Sequence, residues 1–364
     1  CNSHSSFKDK VSMSNLCQEI TLPTTPIQDI HDEQGEIALC ILSAVNVGGL
    51  NDLSELENIC DLSVRALEQI IDYQDYPVKA AEVSTKSRRS LGIGYIGLAH
   101  YLAKHGVKYS DPKAWDIVDR LTEAFQYHLL RASNNIAKEK GKCEGFERTK
   151  YADGLLPIDH YKKDVDEIVP HKQRMAWESL RKDIAKYGLR HSTLSAQMPS
   201  ESSSVVSNET NGIEPPRALL SIKKSKKGPL KQIAPGFPKL KNDYTLLWDM
   251  PSNEGYINVV AMMQKYFDQA ISGNWSYNPT HFDNNEVPLS VMASDMLTAY
   301  KLGWKTSYYQ NTYDFKGDDE DVQPAGLSAT IDADADDGED VELPETLISS
   351  DADIDGEDCD ACTI

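Results

Sequence analysis

The sequence predicts an α/β body over residues 1–313 and, after it, an acidic tail with no packed core. Three observations carry this. Apolar residues recur at helical spacing in separate runs, the clearest at Leu53, Leu56, Ile59, Cys60, Val64, Leu67 and Ile70, which lays one stripe along a helix. Loops and short extended stretches lie between such runs; residues 1–53 are of this kind, with Pro23 and Pro26 breaking any helix. After Tyr313 the hydrophobic period stops and the composition turns to Asp, Glu, Ala and Gly, which predicts disorder.

A chain of 364 residues can bury a sizeable core and suggests two domains. Its formal charge is −20. From Asp314 onward there are 19 acidic residues against one Lys, a net of −18, so the body carries only −2. That argues against nucleic-acid binding by the tail and leaves the body without a dominant basic patch. Seven widely spaced cysteines do not make a secreted disulfide framework in a protein this large. No signal sequence opens the chain and no apolar run approaches about 18 residues, so a soluble, cytoplasmic protein with no membrane partner is expected. The sequons at Asn208 and Asn274 are then chance matches.

Taking the elements in order, Ser54-Glu55-Leu56-Glu57 reads as a capping box opening the first helix, with Cys60 in its core stripe. A second helical run covers 96–105 and ends at Gly106; a third covers 114–140 and stops at Gly141. Cys143, just past that stop, has no Cys or His at metal spacing and reads as structural; no metal site is expected. Gly92-Ile93-Gly94-Tyr95-Ile96-Gly97 matches G-x-G-x-x-G. However, residues 87–91 do not read as a buried parallel strand and no acidic residue sits at the ribose position, so a close packing turn is expected in place of a dinucleotide site.

Residues 198–204, Met-Pro-Ser-Glu-Ser-Ser-Ser, place hydroxyls and free N–H groups at a helix start, which suits a phosphate or simply a polar N-cap. Without Gly-Lys-Ser/Thr this is not a Walker loop. Residues 223–238 turn basic and Pro/Gly-rich and read as an exposed connection. Helices are expected over 256–272 and 287–302, before Tyr308-Tyr309-Gln310-Asn311-Thr312. Adjacent tyrosines on a strand face opposite sides, so ordinary packing buries one and exposes the other. In the tail, Asp351-x-Asp353-x-Asp355-Gly356 imitates a calcium loop, but Cys362 stands where the closing Glu belongs. Cys359 and Cys362, two thiols on a tether, can form a small disulfide and exchange it.

The stretch with the most chemistry is Ser14-Asn15-Leu16-Cys17-Gln18-Glu19-Ile20. In an extended backbone alternate side chains share a side, roughly 6.5–7 Å apart. Asn15, Cys17 and Glu19 would then present an amide, a thiol and a carboxylate together. The amide can hold a hydroxyl, the carboxylate can take its proton, and the sulfur can do hydrogen-atom or nucleophilic chemistry. The same spacing suits an ordinary edge strand with one buried Cys, and spacing alone leaves both readings open.

This stretch resembles the active-site finger loop, Asn-x-Cys-x-Glu, of the large (alpha) subunit of class I ribonucleotide reductases. The resemblance extends in the family's order through Gly35-Glu36-Ile37-Ala38-Leu39-Cys40, Tyr73-Gln74-Asp75-Tyr76-Pro77, Leu91-Gly92-Ile93-Gly94, Met198-Pro199-Ser200-Glu201, Asn211-Gly212-Ile213-Glu214-Pro215-Pro216-Arg217 and Tyr308-Tyr309-Gln310-Asn311-Thr312. It covers 1–313 and only the C-terminal half of such a subunit.

The resemblance implies the second half of a ten-stranded α/β barrel (1–223) with the finger loop at its centre, a small α/β domain (224–313) and the acidic tail (314–364). It implies reduction of ribonucleoside diphosphates for DNA synthesis. Cys17 is the implied thiyl, Glu19 the base toward the ribose, and Asn15 the holder of the sugar. Glu201, Ser202 and Ser203 line the implied diphosphate pocket, and Tyr308 and Tyr309 form the implied stacked radical relay. Cys40 matches one thiol of the reducing pair, whose partner lies upstream of this chain. Cys359 and Cys362 match a shuttle pair, though their gap is closer and their acidic leash longer than usual, which leaves the redox poise open.

Implied partners are the N-terminal half of the alpha subunit, a beta subunit that carries the metal–radical cofactor, and thioredoxin or glutaredoxin. No cofactor is expected on this chain itself. The start at Cys1 without Met fits a fragment, or release by processing such as protein splicing, which needs a nucleophilic first residue. Rival readings are a cobalamin-type reductase, against which the tyrosine pair argues, and a non-catalytic assembly remnant. A plain thiol–disulfide protein is a third, and it lacks a βαβ unit around its cysteine pair.

Overall fold

β1 (Ile41–Asn46) lies parallel to β2 (Leu91–Ile96), in register from Ile41 opposite Leu91 to Asn46 opposite Ile96. Parallel strands need a long crossover, supplied here by α1 (Leu56–Tyr73) and α2 (Lys79–Arg88). All six residues of β2 are buried, as expected of a parallel strand covered on both faces. Beyond β2 the row continues through isolated bridges: Ile93 pairs with Ser195, and Gln197 with Ile271, both parallel. Four extended segments thus stand side by side, around 41–46, 91–96, 193–197 and 269–272. Among the described residues β1 pairs only with β2, so one edge of the row is open.

This computed structural model describes residues 3–225 and 228–313, the side chains of 221–231 aside. Gly97, at φ +82°, opens α3 (Leu98–Lys104), and α4 (Pro112–Lys140) follows with Pro at its first position. Then come α5 (Pro157–His160), α6 (Trp177–Tyr187) and α7 (Glu201–Val206). β3 (Leu220–Ser225) and β4 (Gly228–Ile233) form an antiparallel hairpin. α8 (Glu254–Gln264) is buried over ten of its eleven residues. β5 (Trp275–Tyr277) pairs in parallel with β6 (Gln310–Thr312), with α9 (Leu289–Lys301) between them. The core is packed chiefly by α1, α4 and α8 against the β1–β2 face.

The expected α/β class holds. Its six strands form three two-stranded sheets among the described residues, and closure into a ten-stranded barrel is not detected. The expected boundary at 223/224 falls inside β3. No helix among the described residues is long and apolar enough to cross a membrane. Residues 314–364, with the calcium-loop imitation and Cys359 and Cys362, lie outside the described residues.

Several local expectations are corrected. The capping box belongs to Asp52 and Glu55: Asp52 Oδ1 accepts the Ser54 N–H at 2.8 Å and Glu55 Oε1 accepts the Asp52 N–H at 3.2 Å. The stripe of α1 ends at buried Ile71, while Ile70 is exposed. The second helix spans 98–104, because Ile96 belongs to β2. As expected, residues 87–90 are not a strand, since α2 runs to Arg88 and β2 begins at Leu91; the glycine motif itself lies on buried β2, and Gly97 makes the packing turn into α3. The basic stretch expected as a plain connection contains the β3–β4 hairpin. The helix expected over 256–272 stops at Gln264. Tertiary contact overrides its period: the buried Asp268 carboxylate captures the N–H groups of Leu194 and Ser195, at 3.0 and 2.8 Å, and pulls 268–272 into the parallel row.

Candidate active site

The finger is not an extended strand at its tip. The Gln18 N–H bonds back to the Asn15 carbonyl at 3.2 Å, and Gln18 has φ +70°, so residues 15–18 form a turn. Asn15 Oδ1 closes the loop by accepting the Ile20 N–H at 3.0 Å. That occupies the amide oxygen and leaves the Nδ2 donors for another group. The strict alternation expected for Asn15, Cys17 and Glu19 is therefore replaced by a turn, with Leu16 72% exposed at its apex. Glu19 is buried, and its backbone carbonyl accepts the Ala270 N–H at 3.0 Å, which docks the loop on the fourth segment of the row.

Two chemical contacts converge there. The Cys17 thiol donates to the Tyr308 hydroxyl at 3.5 Å, and the Tyr308 and Tyr309 rings lie against one another, centroids 3.8 Å apart and planes tilted by 33°. The backbone of this pair is held by Gly273 and Asn274: Tyr308 N–H donates to the Gly273 carbonyl at 2.8 Å and Tyr309 N–H to Asn274 Oδ1 at 3.0 Å. The Cys17 contact, and after it Tyr309, hold the Tyr308 hydroxyl well above tyrosine's ordinary pKa. On the other side, the Ser272 hydroxyl lies 2.5 Å from the Cys17 carbonyl and 3.0 Å from Glu19 Oε2. One hydroxyl thus fixes both the backbone of the thiol residue and the neighbouring carboxylate.

Cys40 stands at the start of β1, half-buried, and packs over Gly92. A Cβ on Gly92 would fall 2.7 Å from the Cys40 sulfur and 2.6 Å from Leu42 Cδ2. The glycine motif thus serves close approach. Burial pushes the Cys40 thiol up to about 12, against a hydrogen bond from Gln269 that pulls it down; the charges of Asp268 and Glu19 add to the rise.

Glu201, Ser202 and Ser203 form the exposed first turn of α7. The Ser200 hydroxyl donates to the Met198 carbonyl at 3.1 Å instead of capping the helix. Glu201 lines a cleft of about 400 Å³ shared with Glu214, Arg217, Asn274 and Asn311. Within it, burial pushes the Glu214 carboxyl up to about 7, against a hydrogen bond from Tyr256, the charge of Arg217 and a bond from Asn274. Among the described residues no group of three or more His, Cys, Asp or Glu could hold a metal ion.

Residues 1–310 match the family model described as ribonucleotide reductase, barrel domain. The chain belongs to the ribonucleotide reductase family. It is 56% identical to the ribonucleoside-diphosphate reductase subunit alpha of Haemophilus influenzae over 326 residues, covering 89% of this chain and 43% of that relative. Against the ribonucleoside-diphosphate reductase 1 subunit alpha of Escherichia coli it is 53% identical over 324 residues, covering 88% and 43%. The phage T4 subunit alpha is 41% identical over 317 residues, covering 86% and 41%. The chain thus spans less than half the length of the curated relatives it matches.

In this reductase-family chain the sequence-derived residues fall into separate groups. Cys17 meets Tyr308, which lies against Tyr309, while Asn15 closes the finger turn and Glu19 is held by Ser272 and Ala270 beside it. Cys40 joins them through Gln269 rather than by a direct contact. Glu201, Ser202 and Ser203 sit on α7, with Glu201 facing the cleft. Ser272, Gln269 and Asn274 were missed. Ser272 and Gln269 fall in the stretch mistaken for helix, and the Asn274 sequon gave no hint that its amide would hold a tyrosine backbone.

Proposed function

We propose that this chain is the catalytic C-terminal portion of a ribonucleoside-diphosphate reductase alpha subunit. One observation carries the reading most directly: the Cys17 thiol touches Tyr308, whose ring lies tilted against Tyr309, and Tyr309 is 54% exposed. A half-buried sulfur is thereby joined to the surface by two oxidisable rings. The names of the relatives support the substrate class, ribonucleoside diphosphates.

In this reading the Cys17 thiol gives up a hydrogen atom, its proton passing to the Tyr308 oxygen and its electron through Tyr308 and Tyr309 toward a beta subunit, whose metal–radical cofactor would supply the oxidation. The Cys17 thiyl takes the ribose 3′-hydrogen. Glu19, held by Ser272, accepts the 3′-hydroxyl proton, and the free Nδ2 of Asn15 binds the sugar. The 2′-hydroxyl leaves as water. Cys40 and a thiol of the N-terminal half give two electrons and close a disulfide, and Cys17 returns the 3′-hydrogen. Glu201, Ser202 and Ser203 receive the diphosphate at the start of α7.

Cys359 and Cys362 reduce that disulfide and are themselves reduced by thioredoxin or glutaredoxin. The open edge of β1 and the exposed Leu16 and Met13 fit a body completed by the N-terminal half into the ten-stranded barrel. The test is diphosphate reduction by this chain mixed with the N-terminal half and a beta subunit. Turnover should need all three, and Cys17→Ser should abolish it while leaving assembly intact. Appreciable deoxynucleotide formation by that variant would overturn the assignment.

A further inference from the structure

The Gln269 side chain is fully buried and all its polar atoms are matched. Its Oε1 accepts the Thr21 N–H of the finger at 3.3 Å. Its Nε2 donates to the Leu91 carbonyl at 2.9 Å and to the Cys40 sulfur at 3.3 Å. These partners fix the orientation of the amide. A backbone N–H can only donate and a carbonyl can only accept, so turning the amide over would set oxygen against the Leu91 oxygen and NH₂ against the Thr21 N–H. The NH₂ group is therefore forced toward Cys40.

The backbone of Gln269 is equally fixed. Its N–H donates to the Ser195 carbonyl at 3.0 Å, and its carbonyl accepts from Gln264 Nε2 at 2.9 Å and Lys305 Nζ at 2.6 Å. The charged groups that bear on Cys40, Asp268 and Glu19, are both acidic and oppose a thiolate. The Gln269 amide is the neighbour that favours one.

We propose that Gln269 is the positioning residue of Cys40, aiming one N–H at its sulfur and tying that sulfur to the finger loop at Thr21. Two consequences follow. The thiolate of Cys40, which is the nucleophilic form, gains its stabilisation from a donor that a rigid backbone holds in place. A change at the sulfur is also felt at the finger through a single side chain. The importance of this for turnover rests on the reading of Cys40 as a reducing thiol; the geometry does not.

The experiment is alkylation of the full chain by iodoacetamide between pH 7 and 9, with Cys40 followed by peptide mass spectrometry and Cys17 as internal comparison. The thiolate attacks carbon, a C–S bond forms and iodide leaves, so the rate at a given pH reads the thiolate population. Gln269→Leu and Gln269→Met both remove the donor, and each should slow Cys40 about tenfold at every pH, the size expected for losing a hydrogen bond to a charged group. Mere loosening of the site would speed the reaction by opening a half-buried thiol, so an unchanged or raised rate overturns the proposal. The wild-type chain supplies a second measurement that needs no variant. Alkylating Cys40 should shift the NMR signals of the Gln269 side-chain NH₂ and of the Thr21 amide, and unmoved signals overturn it. Neither readout uses nucleotide reduction, so failure of the reductase reading and failure of this one are told apart.

Discussion

Cys17 and Tyr308 are 291 residues apart in sequence, and they meet thiol to hydroxyl at 3.5 Å. Two anchors produce the meeting. Glu19 docks the finger on Ala270, and four residues along the same segment Asn274 holds the backbone of Tyr309. A short stretch of chain, 270–274, thus fixes the thiol and the ring pair relative to one another.

Tyr308→Phe and Tyr309→Phe keep the rings and remove only the hydroxyls. Each should cost about 1 kcal/mol or less in urea unfolding, because a single part-exposed hydrogen bond is lost. In the reconstituted complex substrate binding should survive and turnover should vanish. Normal nucleotide reduction by both variants would refute the relay.

Replacing Cys359 and Cys362 together by Ser should spare a single turnover from pre-reduced enzyme and block repeated turnover with thioredoxin. Tethering keeps a dithiol at high effective concentration, whereas free dithiothreitol should rescue only in part. Product counted in one turnover, beside a steady-state thioredoxin-coupled assay, decides it. Normal cycling by the double variant would show that these thiols are not the shuttle.

Glu68 of α1 is buried among Arg89, Arg190 and His191, at 2.7, 2.8 and 3.1 Å. Burial alone would raise its pKa, but the bonds from His191, Arg89 and Arg190 outweigh it and hold the carboxyl down to about 2. A depressed carboxylate stabilises the fold above its unfolded value, near 4.5, and that contribution is lost as pH falls toward about 2. Glu68→Ala strands buried cations and should cost about 3–5 kcal/mol at neutral pH. Urea midpoints should show the wild type losing its advantage over the variant progressively from near pH 4.5 down to about 2; parallel pH curves would contradict this.

Gly92→Ala places a methyl against Cys40 and Leu42, at 2.7 and 2.6 Å. Overpacking of this kind costs about 1–3 kcal/mol. The sulfur is the more mobile neighbour, so Cys40 should be displaced and alkylate faster than in the wild type. An unchanged melting temperature together with an unchanged Cys40 rate would mean that the glycine is not needed for close approach.

Helices with a clean stripe were legible in the sequence: the third was expected over 114–140 and spans Pro112–Lys140, and the last was expected over 287–302 and spans Leu289–Lys301. What failed were places where distant chain decides the conformation. Residues 268–272 keep a helical apolar period but are drawn straight by Asp268 bonding to 194 and 195. Gln18 adopts a left-handed turn that its side chain does not advertise. For the site, the finger motif and the tyrosine pair name themselves by residue type. Ser272 and Gln269 do not, because an ordinary serine and glutamine become special only through partners some 230–255 residues away.

The unpaired side of β1 has a consequence for handling the molecule. A bare strand border carries unspent backbone donors and acceptors and zips onto the first compatible strand it meets. Purified alone and concentrated, the chain should therefore self-associate through residues 41–46 and foul its own preparation. With a strand seated on that border, it should stay monodisperse, which size-exclusion chromatography at rising concentration would read directly.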